Sequence, residues 1–160
     1  MTYADEFQNL AGIAIAMAGF AGIISALQSR PDPAWKGRYA RLRELLLFSL
    51  GVVFFAFIPT LLEGVLNDPV WALRAPQILC GIYHVSLALI FLKTSGLSER
   101  KPYEWMVVPL AIAVVLFQFV TGFGYLSDYL AEAYFLGLLW LLLVAANNFT
   151  VLLLRSENDA

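Results

Sequence analysis

One cysteine and one histidine stand among 160 residues, and that scarcity excludes several kinds of chemistry. Cys80 alone can build neither a disulfide framework nor a cysteine metal cluster. A lone His84 cannot supply bis-histidine haem ligation, and a His-based metal triad within one chain is impossible. No nucleotide-binding loop, HExxH or GxSxG motif occurs. Ser25, Ser49 and Ser86 are hydroxyls with no recognisable base at a supporting spacing. The residues point away from an enzyme, and they call for no cofactor, no metal and no nucleic acid.

Charge is equally scarce. Only 14% of residues are charged against 61% hydrophobic, and the mean hydropathy is +0.76. Such a chain has too little polar surface to cover a soluble globule. The expected fold class is an all-α polytopic membrane protein, a bundle of five transmembrane helices forming one domain over residues 1–160. The lipid bilayer is its first partner.

A bilayer core takes about 20 apolar residues in helical form. Residues 7–27, 45–66, 103–123 and 130–154 meet that length, and 77–92 is a shorter fifth span that its neighbours can extend. Pro76 suits the first turn of that short span. Asp68 followed by Pro69 reads as a cap and a first-turn proline opening a separate interfacial helix over 70–75. Asp5 and Glu6 put acid where a secretory signal needs positive charge, so the first span is expected to remain in place. Met1-Thr2 lacks the glycine that myristoylation requires.

The few basic residues are unevenly placed. Arg30, Lys36, Arg38, Arg41 and Arg43 follow the first span, Lys93, Arg100 and Lys101 the third, and Arg155 the fifth. Only Arg74 falls on the opposite side. Short basic loops stay cytoplasmic, so the N-terminus is expected outside and the C-terminus inside. Trp35, Tyr39, Tyr103 and Trp105 would then ring the inner interface, and Tyr3, Trp71, Tyr125 and Tyr129 the outer one. The expected location is the cell membrane, the inner one in a bacterium.

Polar groups inside the spans are rare enough to name. Glu63 lies about 4.5 Å below the outer end of the second span. His84 and Gln118 lie roughly 10 Å deep in the third and fourth. Gln77, Thr121 and Tyr134 complete an outer-half set. Gln77, Gly81 and His84 share one helical face, which makes the third span the one expected to be most enclosed. These positions, Glu63, His84, Gln77, Gln118 and Thr121, are the candidates for a transport or polar site. Asn147 and Asn148 read as groups that hydrogen-bond between helices. Asn148-Phe149-Thr150 matches a glycosylation pattern only by chance, being inside a span.

Ala14, Ala18, Gly22 and Ala26 recur at four-residue spacing, a pattern that lets another helix backbone approach closely. An internal seam and an oligomer interface both satisfy it.

Outside, Asp5, Glu6, Glu63, Asp68, Asp128 and Glu132 face Arg74 alone, and an acidic mouth concentrates cations. The leading expectation is a small channel or transporter-like protein acting as a homo-oligomer. The competing one is a sensor or accessory subunit whose basic cytoplasmic segment docks a partner protein. No known family is indicated. The tryptophan and proline-rich loop patterns of the translocator proteins and the first-span acid of the small multidrug transporters are both absent.

Overall fold

The computed structural model describes residues 3–27, 35–95 and 102–158, with side chains over 3–26, 39–90 and 107–153. Five α-helices account for nearly all of it: α1 (Ala4–Leu27), α2 (Trp35–Leu66), α3 (Pro69–Ser95), α4 (Pro102–Gly122) and α5 (Leu130–Asn158). Four of them are long and apolar enough to cross a membrane, within Ala4–Ala26, Tyr39–Leu66, Pro69–Ile90 and Ser127–Leu153. The described apolar part of α4, Val107–Gly122, is shorter. The basic residues Arg30, Arg100 and Lys101 lie outside the described residues. So do the side chains of Trp35, Lys36, Arg38, Lys93, Tyr103, Trp105 and Arg155.

Two expectations about boundaries change. The basic segment before the second span is not all loop, because α2 already begins at Trp35. Lys, Arg, Leu and Glu are good helix formers, and residues 36–44 are rich in them. The third span also has no separate interfacial helix before it. Residues 69–95 form one helix, with Pro76 in its interior rather than its first turn. Asp68 does cap that helix, its Oδ1 accepting from the Val70 N–H at 2.9 Å and the Trp71 N–H at 3.2 Å. Asn67 before it holds a φ of 51°, a left-handed geometry that asparagine tolerates and that ends α2.

The chain divides into two compact units, residues 1–57 with 141–160, and residues 58–140. In the first, Ala21 of α1, Leu45 of α2 and Leu152 of α5 form a buried apolar cluster, flanked by Leu42, Leu46 and Phe149. Asn148 is buried beside them and accepts a hydrogen bond from Arg41 Nη1 at 3.1 Å. Arg41 also lies 3.7 Å from Glu44 one turn on.

The small-residue row on α1 divides between environments. Ala14 is buried and Ala18 half-buried, while Gly22 and Ala26 are exposed, with open space around Gly22. Four residues overshoot a helical turn by about 40°, so the row drifts by roughly 120° from first to last. The buried face of α1 instead carries Phe7, Leu10, Ala11, Ala14 and Ala21, which step by threes, fours and sevens.

In the second unit α3 packs on α4. Gly81 admits the Phe119 ring, whose Cζ lies 3.1 Å from where a β-carbon would stand. Gly122 admits Ile78 in the same way, with Cγ1 at 2.9 Å. Contacts rise in number on α3 as they fall on α4, so the two helices run antiparallel. Helix α4 then stops in a Schellman turn. The Tyr125 N–H donates to Val120 and the Gly124 N–H to Thr121, with Gly124 at a φ of 94°. The Arg74 guanidinium lies against Gly124, and Trp71 lies beneath it at 5.9 Å. That places a cation at the negative end of α4, which gives Arg74 a structural use.

Candidate functional site

Gln77, Cys80, Gly81 and His84 occupy one face of α3 because steps of three and four residues return to the same side of a helix. Gln118 and Thr121 meet them from α4. The Gln77 amide nitrogen donates to the Gln118 carbonyl at 3.3 Å and also to the Thr121 hydroxyl. Thr121 in turn donates within its own helix, with Phe117 O at 2.8 Å and Gln118 O at 3.1 Å as acceptors. Gln77, Gln118 and Thr121 are all fully buried.

One and two turns further along, Cys80 and His84 continue the face. His84 Nδ1 lies 2.8 Å from the Cys80 carbonyl and 3.7 Å from the Cys80 sulfur. A carbonyl only accepts, so in that contact Nδ1 carries the proton. The ring also faces the Gly137 backbone of α5. Gln118 reaches the same glycine. Its amide occupies the space beside Gly137, with Cδ 2.7 Å from the site of a β-carbon, and it neighbours the Cys80 thiol. Tyr134, also fully buried, stands one turn before Gly137 and close to Cys80.

The cluster is incompletely satisfied. Gln77 Oε1 is buried without a hydrogen-bond partner, while the Gln118 amide meets the Cys80 thiol and the His84 ring meets the Gly137 backbone only outside good hydrogen-bond geometry. An orphaned group of this kind costs about 1–3 kcal/mol.

The sequence candidates therefore separate. Gln77, His84, Gln118 and Thr121 come together on α3 and α4. Glu63, half-buried on α2, takes no part in the hydrogen bonds of the cluster. Helix α3 is no more enclosed than α2 or α5, so burial is shared rather than concentrated in the third span. Cys80 and Gly137 belong to the site although neither was a sequence candidate for it. The signal for Gly137 was its position as the one glycine inside α5, where glycine weakens a helix and so marks a close approach. Cys80 could have been read from the face it shares with Gln77 and His84.

Among the described residues no three His, Cys, Asp or Glu side chains group closely enough to hold a metal ion. The arrangement can offer hydrogen bonds along α3 through neutral groups. Compared with protein-family models, curated proteins and solved structures, the chain matches none.

Proposed function

We propose that this chain is a small integral membrane protein of channel or transporter type that works as a homo-oligomer. Its polar site would be the column of Gln77, Gln118, Thr121 and His84. The observation that carries this reading is the set of buried polar side chains, Gln77, Gln118, Thr121 and His84, inside a strongly apolar protein. Polar side chains are costly in hydrocarbon, and those retained there usually serve a solute path or a binding site. A chain of this size has little interior to spare for a private pore, so a path completed by further copies is easier to build.

The reading includes five spans with the N-terminus outside. Helix α4, at 21 residues, is about 31 Å long and matches the hydrocarbon thickness. Exposed Tyr39, Trp71, Tyr125 and Tyr129 suit interfacial belts. Asp5, Glu6, Asp128 and Glu132 are exposed and would draw cations toward an outer mouth. Single cysteines at Lys36, Lys101, Asp68 and Asp128, in a Cys80→Ala background, test the topology. An impermeant thiol reagent should label intact cells at the two aspartate positions and spare the two lysine positions.

The function is tested by flux into liposomes carrying the purified protein, across gradients of Na⁺, K⁺, H⁺ and a small neutral solute. Flux above empty liposomes supports transport. The accessory reading, in which the basic segment from Arg30 to Arg43 docks a cytoplasmic protein, requires no flux and co-purification with a different protein in mild detergent. Arg41 is engaged with Asn148 and Glu44, which leaves that segment fewer free charges for a partner.

A further inference from the structure

We propose that Arg74, held between Gly124 and Trp71, binds the phosphate of a phospholipid with a zwitterionic headgroup. This rests on the membrane part of the reading above and on nothing in its transport part.

Arg74 is the one Lys or Arg among the described side chains of residues 58–140, where the acids are Glu63, Asp68, Asp128 and Glu132. None of those carboxylates pairs with it, and no acceptor among the described residues takes a hydrogen bond from it. Its Nε is buried and unpartnered. The end of α4 leaves the guanidinium its donors, because the carbonyls of Val120 and Thr121 already accept from Tyr125 and Gly124. A guanidinium left alone in an apolar setting is costly, and its five N–H groups form a planar fork that matches phosphate oxygens.

Two contacts hold that fork in place. Gly124 lies against it, with Nη2 3.2 Å from where a β-carbon would stand, and the Trp71 ring is 5.9 Å from Cζ. Arg74 stands five residues into α3, about 7.5 Å from its start, which is the depth of a headgroup boundary. Trp71, Phe123, Tyr125, Leu126 and Tyr129 are exposed around the same helix ends. Such a rim suits the junction of headgroup and acyl chain. A free inorganic phosphate would gain nothing from those apolar surfaces, whereas a lipid brings its own chains to them.

Charge selects the headgroup. One base against four acids disfavours a ligand of net negative charge. Phosphoethanolamine balances its phosphate with an amine, which suits the negative end of α4. Asp128, exposed four residues beyond Gly124, offers that amine a carboxylate.

Native mass spectrometry of the full chain in mild detergent reads the bound lipid. The wild type should take up its first phosphatidylethanolamine at about tenfold lower concentration than phosphatidylglycerol or diacylglycerol of the same acyl chains. Arg74→Gln should weaken that uptake by about tenfold. Arg74→Lys keeps a cation at the end of α4 but loses the fork, and should weaken it by about threefold. Equal uptake of phosphatidylethanolamine and diacylglycerol by the wild type overturns the proposal, with no variant needed. Displacement of the lipid by millimolar inorganic phosphate overturns it as well, by revealing a site for the free ion. A preference for phosphatidylglycerol overturns the zwitterionic assignment. No flux enters these measurements, so a chain that transports nothing still supports the proposal by holding the lipid. A chain that stays monodisperse without detergent would refute the membrane reading, and this proposal with it.

Discussion

Two fully enclosed carboxamides, Asn148 and Gln118, are treated in opposite ways by the two units. In the unit of residues 1–57 and 141–160, Asn148 sits beside the Ala21, Leu45 and Leu152 cluster with its oxygen bonded to Arg41. In the unit of residues 58–140, Gln118 is wedged beside Gly137, its amide in no hydrogen bond of good geometry and only against the Cys80 thiol. Asn148 ties two helices together at modest gain. Gln118 is held at a cost to stability, because its amide makes no hydrogen bond of good geometry. The contrast is not absolute, because the first unit has an unpaired buried hydroxyl at Ser49.

The largest test of that contrast lies in the apolar unit. Leu45→Ala should destabilise by about 2 kcal/mol or more, from lost packing. The value belongs at the low end of core truncations because lipid tails are as apolar as leucine. Chemical unfolding in mild detergent measures it, and a loss below about 0.5 kcal/mol would mean that this cluster does not hold the unit. Next in size is Gly137→Ala, which should cost about 1–3 kcal/mol because the new methyl meets the Gln118 amide. Adding Gln118→Ala should recover much of that loss in a double-mutant cycle, and simple additivity would show that the two residues do not touch.

Replacing each carboxamide by leucine sharpens the comparison further. Gln118→Leu should leave stability unchanged or raise it by up to about 1 kcal/mol, whereas Asn148→Leu should lower it by about 1 kcal/mol. Losses of equal size in both variants would erase the distinction between the units. The smallest effect is expected at Gly22→Ala, a gain of about 0.5 kcal/mol from helix preference, since nothing stands within 4 Å. A loss there, together with a smaller particle in detergent, would show that a second copy covers this face of α1.

Much of the helical layout was legible because apolar runs of about 20 residues with few charges read as long helices. Asp68 and Pro69 marked the start of α3 for local reasons, and local reasons sufficed. Pro76 misled for the same reason. Proline favours a first turn, but a long apolar helix already begun at Pro69 carries it in the interior. The site was half legible. Gln77 and His84 share a face by arithmetic on a single helix, whereas their partners on α4 and α5 depend on rotation about the helix axes. Depth alone could not choose between Glu63 and Gln118 as neighbours of His84. Arg41 and Asn148 lie 107 residues apart, and no local pattern could have paired them.

The two-residue join at Asn67 and Asp68 bears on how the protein is made. One residue closes α2 and the next opens α3, so no slack separates them. A ribosome delivering this chain presents α3 before α2 could be anchored with its end held at the far surface by a hydrophilic loop. If both helices span, they must leave the translocation machinery as a folded-back pair, with Asn67 and Asp68 at the tip. Lengthening the join would then relax the order of insertion before it altered any contact in the finished protein.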